Sequence, residues 1–136
     1  MKINKKRVTQ MSDSFELGPI SVKKGTKGYG TLPVTTMASG YEIAVPVHII
    51  AGSQPGPTVT VIPMLHGHEF TVLEIVREIL EHIDPQELTG NLVATTVTNP
   101  AAFQMGTRAS WFDGLWGPIN DLNRAFPGNP RGWIVE

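Results

Sequence analysis

Between residues 58 and 90 the chain changes its hydrophobic period once, and that change restricts the fold more than any other feature. "TVTVI" (58 to 62) is a short β-branched run, a strand by composition. Pro63 has no N–H to give to a ladder, so regular pairing should end about there. From Glu69 onward Val72, Ile75, Val76, Ile79, Leu80 and Ile83 recur at helical spacing. Glu74, Arg77, Glu78 and Glu81 occupy the opposite face. Asp84-Pro85 ends that helix, and "GNLVATTVTNP" reads as a strand closing in a turn. Strand, helix, strand implies a right-handed βαβ unit and a parallel pair in an α/β sheet. Ligands of such sheets sit at the carboxyl ends of the strands. Both "LHGHE" and Asn99-Pro100 fall there.

The flanking segments read less regularly. "EIAVPVHII" (42 to 50) alternates and is β-branched, a strand joined through the turn-like "AGSQPGP" to the next in an expected hairpin. "KKGTKGYG" has three glycines but no Gly-Lys-Ser/Thr ending and no helical pattern behind it, so it reads as a Lys/Gly-rich turn rather than a phosphate loop. After Pro100 the chain is expected to be loop for a long way, yet it carries Trp111, Phe112, Trp116, Phe126 and Trp133. Long ordered loops with so much aromatic surface are usually functional.

Charge is divided unevenly. All six lysines and Arg7 lie within the first 27 residues, whereas the chain from Gly28 onward has four arginines, ten acids and no lysine. A nucleic-acid binder would spread basic residues over its folded face, so that class is set aside. Residues 1 to 14 are expected to form a disordered basic tail, and residues 15 to 136 the folded unit. No apolar run approaches the roughly 20 residues of a membrane span, and nothing behind the basic start resembles a signal peptide. The absence of cysteine removes disulfides and thiolate ligands or nucleophiles. A cytoplasmic location is the default expectation.

Two constellations carry chemistry. In "HGHE", imidazole and carboxylate are ligands that a catalytic zinc prefers, and His66 and Glu69 straddle the start of a helix so that both can face one ion. The competing reading is a polar strand-to-helix loop in which Glu69 acts as a cap. A third ligand is poorly supplied by the other histidines. His82 lies along the helix, about 20 Å from Glu69 at 1.5 Å per residue, and His48 sits across the expected hairpin at a similar remove. Asp113 and Asp121 remain, though neither is an expected partner of the His/Glu pair. An α/β-hydrolase reading of "VIPMLHG" fails for want of a Gly-x-Ser-x-Gly elbow. A His-x-His barrel metal pair would leave Glu69 without a role. The second constellation is "NDLNRAFPGNPRG", where Asn123 and Arg124 stand together before a Pro-Gly turn, with Arg108 in a preceding loop. Arginine's planar fork matches a carboxylate bidentately, and an adjacent amide adds orientation.

Taken in order, strand, "HGHE", helix, strand, "NP", "GTR" and "DLNRAFPG" resemble the succinylglutamate desuccinylase/aspartoacylase family, itself related to zinc carboxypeptidases. The resemblance spans roughly residues 30 to 130. It implies the first part of a mixed-sheet, zinc-carboxypeptidase-like α/β fold. By position, His66 and Glu69 match two of the family's three zinc ligands. Asn123 and Arg124 match its substrate-carboxylate binders, and Arg108 matches the arginine that polarises the scissile carbonyl or contacts substrate. The implied cofactor is one Zn2+ per complete site. The implied reaction is hydrolysis, by zinc-activated water, of the amide in a small N-acyl amino acid.

Three departures accompany the resemblance. Family members commonly have Asp or Asn where this chain has His68. "LWGPIN" looks like an insertion ahead of Asp121. The family's third ligand, a histidine, and its catalytic glutamate lie beyond Asn123-Arg124, where this sequence supplies neither. The expectation is therefore an N-terminal part of a deacylase domain that self-associates through an exposed sheet edge. The alternative is a non-catalytic carboxylate-binding module that has lost the metal centre.

Overall fold

The computed structural model describes residues 13–109, 121–129 and 131. Among these residues six strands and two α-helices follow in the order β1 (Ser14–Leu17), β2 (Ile20–Lys23), β3 (Thr26–Thr36), β4 (Glu42–Ala51), β5 (Gln54–Val61), α1 (Thr71–His82), β6 (Thr89–Thr95) and α2 (Pro100–Met105). A 3-10 turn covers Leu122–Arg124. β1 and β2 form an antiparallel hairpin, and the other four strands form one mixed sheet in the order β3-β4-β6-β5.

The βαβ unit is present. β5 and β6 are parallel, with Val59 opposite Leu92 and Val61 opposite Ala94, and α1 connects them. The expected β4–β5 hairpin is not formed, because β6 lies between the two strands and pairs antiparallel with β4. Pro55 and Pro57 give a physical reason. They remove two donors from the first half of β5, whose ladder is irregular between Gln54 and Thr58. A β6 with all its N–H groups can occupy the place beside β4 instead.

The segment expected as a Lys/Gly-rich turn is a turn only at Lys24-Gly25; from Thr26 it runs as β3, paired along its length with β4. Its glycines serve the layer above. A Cβ on Gly28 would come within 2.4 Å of Val22, and one on Gly30 within 2.7 Å of Ile20. The β1–β2 hairpin thus lies close on this face of the sheet. Ile20, Val22, Val47, Ile49, Ala51 and Val93 form the core there, flanked by Phe15, Leu17, Leu32 and Val45. Ser14, expected in the polar tail, is the first residue of β1. Asp13 is exposed just before it, and residues 1–12 of that tail lie outside the described residues.

Side chains alternate along a strand. Ile50 and Leu92, matched across the β4–β6 ladder, therefore point to the opposite face. There Ile50 shares a groove with Leu73 and Leu80 of α1. Helix α1 buries Val76 and keeps Arg77 on the outward polar face expected from the sequence, where it bonds to Glu74, Glu78 and Glu81. Lys27 reaches from β3 to the carbonyls of Leu80 and Glu81 at the end of α1, 2.6 and 3.1 Å away. No helix among the described residues is long and apolar enough to cross a membrane.

Candidate functional site

The loop leaving β5 carries the site, and its backbone is held in an uncommon form. Met64 is buried with φ 57°, a left-handed conformation that a non-glycine residue keeps only when its surroundings impose it. The imposing element is the turn after β6. Thr98 N–H donates to the Pro63 carbonyl (3.3 Å) and Asn99 N–H to the Met64 carbonyl (3.1 Å). Gly67 rests directly on α2: a Cβ there would lie 2.0 Å from the carbonyl carbon of Ala102. Phe70 and Phe103 close the contact edge to face, 5.9 Å between centroids.

Helix α2 corrects the expectation that the chain becomes loop after Pro100. Asn99 caps it by accepting from Ala102 N–H, Pro100 occupies its first turn, and Gly106 ends it with φ 62°. The cap, proline and glycine signals were all in the sequence, but six residues are too few to show a helical period. The helix delivers Thr107 and Arg108 to the same end of the sheet as His66.

His66 is the centre of the cluster, 5% exposed. Its Nδ1 lies 2.7 Å from Glu69 Oε1 and its Nε2 lies 2.8 Å from Asp121 Oδ1. The second oxygen of Asp121 accepts from Arg108 Nη2 at 2.9 Å. The hydrogen bond to Glu69, aided by the one to Asp121 and opposed by burial, raises the pKa of His66 above its ordinary value. The same bonds lower Glu69, and with help from Asn123 N–H and Arg108 they hold Asp121 down at about 2. Both ring nitrogens of His66 thus face a carboxylate oxygen, an arrangement that favours the protonated ring.

Asp121 is the residue that sequence reasoning undervalued. It also caps the 3-10 turn, accepting from Asn123 N–H at 3.0 Å, so one carboxylate fixes histidine, arginine and turn together. The signal was an Asp two residues before the Asn-Arg pair, at cap spacing. Asn123 and Arg124 are exposed on that turn. The Arg124 guanidinium donates to the Asn123 carbonyl and meets no carboxylate among the described residues. The Arg108 side chain, though bonded to Asp121, is 57% exposed. His68 is exposed and lies nearly parallel to the His66 ring, 6.2 Å between centroids. His48 pairs with Tyr29 on β3, and His82 sits beside Glu78 in the last turn of α1; neither reaches the cluster. Asp113, the "LWGPIN" segment, Trp111, Phe112, Trp116 and Trp133 lie outside the described residues.

The donor chemistry can be tested against zinc. An imidazole nitrogen and a carboxylate oxygen converge with only a proton between them, and both are atoms zinc takes as ligands. The other histidine nitrogen bonds a carboxylate, the usual arrangement behind a metal-ligating histidine. The pair fits two positions of a zinc site. Among the described residues no group of three such donors is assembled to hold a metal.

A mixed sheet with a His/Glu pair at the carboxyl end of a parallel strand, backed by an Asp-x-Asn-Arg turn, makes this an α/β protein with its polar cluster at the strand ends. Within that class the assignment is specific. Residues 55–135 match the model of the succinylglutamate desuccinylase/aspartoacylase catalytic domain, and the chain belongs to that family. It is 26% identical over 110 residues to N-alpha-acetyl-L-2,4-diaminobutyric acid deacetylase of Halomonas elongata, covering 80% of this chain and 30% of that protein. Its fold matches the product-bound ectoine utilization protein EutE (DoeB) of Ruegeria pomeroyi with a TM-score of 0.66 and 25% identity, over 81% of this chain and 33% of that one. An aspartoacylase family protein of Mesorhizobium loti matches with a TM-score of 0.62 and 26% identity, over the same shares. The chain thus spans about a third of the length of these relatives.

Proposed function

We propose that this chain carries the first metal-binding pair and the substrate-carboxylate clamp of a zinc-dependent deacylase, a hydrolase acting on the amide bond of a small N-acyl amino acid. The observation that supports it best is the convergence of His66 Nδ1 and Glu69 Oε1, 2.7 Å apart, at the carboxyl end of β5. Family membership and the deacetylase relative agree with that reaction class. A cytoplasmic location fits a small, polar substrate of this kind.

His66 and Glu69 would hold the ion. Zinc, when bound, makes water nucleophilic near neutral pH and polarises a carbonyl. The rest of the chemistry falls to the chain. Asp121 accepts the Nε2 proton of His66, which leaves Nδ1 as the ligating nitrogen and fixes the ring plane. Arg108, anchored on the same carboxylate, presents an exposed guanidinium that contacts the substrate or stabilises charge developing on the acyl oxygen. Arg124 and Asn123, exposed on the capped turn, bind the carboxylate of the amino-acid part.

The open edge of β5 is the surface through which copies of the chain associate. Val59 is 57% exposed there, and β5 has a paired neighbour on one side only among the described residues.

The test is zinc by elemental analysis together with binding and hydrolysis of N-acyl amino acids. His66→Ala should abolish zinc uptake, and Arg124→Ala should abolish ligand binding while zinc uptake persists. If Arg124→Ala abolishes ligand binding while His66→Ala changes neither metal content nor ligand binding, the chain is a carboxylate-binding module without a metal centre, and the deacylase reading fails.

A further inference from the structure

Asn99 is one of only two polar residues buried in the described core, the other being His66 itself. Its carboxamide works in two directions. The Oδ1 accepts from Ala102 N–H at 3.1 Å and caps α2. The Nδ2 donates toward the Leu65 carbonyl at 3.4 Å, the peptide that leads into His66. Its backbone N–H holds the carbonyl of the left-handed Met64. A helix cap requires only the oxygen. The amide donor is surplus to capping and is spent on the histidine loop.

From that division of labour we infer that Asn99 is a positioning residue: it locks the Met64–His66 backbone to α2, so that His66 and Arg108, at opposite ends of the strut, meet Asp121 in one geometry. Left-handed backbone at a buried methionine relaxes unless its neighbours over-determine it. The Asn99 amide and N–H, with Gly67 seated on Ala102, are the contacts that do so. Supporting groups left loose displace a site by enough to matter, because ligand geometry must be held within about 0.5 Å.

The inference rests on the metal reading of His66 and Glu69 for one of its readouts and not for the other. Asn99→Asp and Asn99→Ser each keep an oxygen for the α2 cap and remove the amide donor; Asn99→Ala removes both. The first readout is the protection of hydrogen-bonded ring N–H protons of His66 in the metal-free full chain, observed by NMR. The second is affinity for Co2+ alone, measured by titration. The expected result is that Asn99→Asp and Asn99→Ser fold with thermal midpoints near wild type, lose the protected ring protons, and bind Co2+ about tenfold more weakly, the lower end for loss of an outer-shell support. If both variants keep the ring protons and wild-type Co2+ affinity while only Asn99→Ala is altered, Asn99 is a helix cap and the inference is overturned. Ring protons missing from the wild-type chain would overturn it equally. If wild type takes up no Co2+, the metal reading fails, and the ring protons alone decide the role of Asn99.

Discussion

Asp121 Oδ1 stands 2.8 Å from His66 Nε2, across 55 residues of sequence, while its other oxygen receives Arg108. This carboxylate joins the two constellations that the sequence displays separately. The imidazole comes from the loop after β5, the guanidinium from the end of α2, and the aspartate from the cap of the turn bearing Asn123 and Arg124. Removing Asp121 should therefore affect metal binding and arginine placement together.

Asp121→Asn keeps the shape and the turn cap but loses the charge that fixes the His66 proton. Zinc affinity should fall by about 10- to 100-fold, the range found when outer-shell partners of ligating histidines are changed. Isothermal titration of the variant against wild type measures this directly. An unchanged affinity would mean that His66 needs no partner at Nε2.

The sequence disclosed elements wherever one hydrophobic period ran unbroken over several residues. The helix over Thr71–His82 and the parallel β5–β6 pair follow from period alone. β3 was hidden because its glycines, needed beneath Ile20 and Val22, imitate a turn. The place of β6 between β4 and β5 was hidden for another reason: two prolines in β5 remove donors from the hairpin that a short polar turn suggests. In the site, His66 and Glu69 are neighbours in sequence and could be read together. Asp121 could not, since its partner lies 55 residues away in sequence.

The ionisation of the cluster sets a pH dependence with a definite sign. His66 is raised from its ordinary 6.5, so its contribution to stability is fully present below 6.5 and is lost as pH rises through the higher folded value. Glu69 and Asp121 are lowered from 4.5 and 3.8, so theirs are present above those values and lost as pH falls through the folded ones, about 2 for Asp121. In the metal-free chain, the difference in thermal midpoint between wild type and His66→Ala should be greatest between pH 4.5 and 6.5. It should shrink on either side. Zinc affinity should do the reverse at the alkaline end and rise with pH, because the ion must displace the Nδ1 proton. A midpoint difference that is flat from pH 4 to 8 would show that the cluster is not ionised as described.

Gly67 should tolerate no side chain. The methyl of Gly67→Ala would fall 2.0 Å from the Ala102 carbonyl carbon and 2.1 Å from its oxygen, and both belong to backbone that cannot rotate away. Either α2 or the His66 loop must shift. The expected loss is about 1–3 kcal/mol of stability, as for overpacked cores, accompanied by weaker zinc binding. Denaturant unfolding and metal titration of the same variant test both parts, and wild-type values in each would show that the loop does not rest on α2.

The sheet edges make the last prediction. The outer edge of β3 is interrupted at Pro33 and by a register shift before Thr35, features that discourage a further strand. β5 has no such protection from Thr58 to Val61: no proline, no charge, and an exposed Val59. A lysine on this stretch should repel a second strand while costing the fold little, since surface substitutions away from special contacts usually change stability by no more than about 0.5 kcal/mol. Sedimentation velocity should therefore show concentration-dependent association of the wild-type chain, and Val59→Lys should be monomeric at the same concentrations with an unaltered thermal midpoint. Equal association of both proteins would move the contact away from β5, leaving the groove between Ile50 and α1 as the apolar surface to examine next.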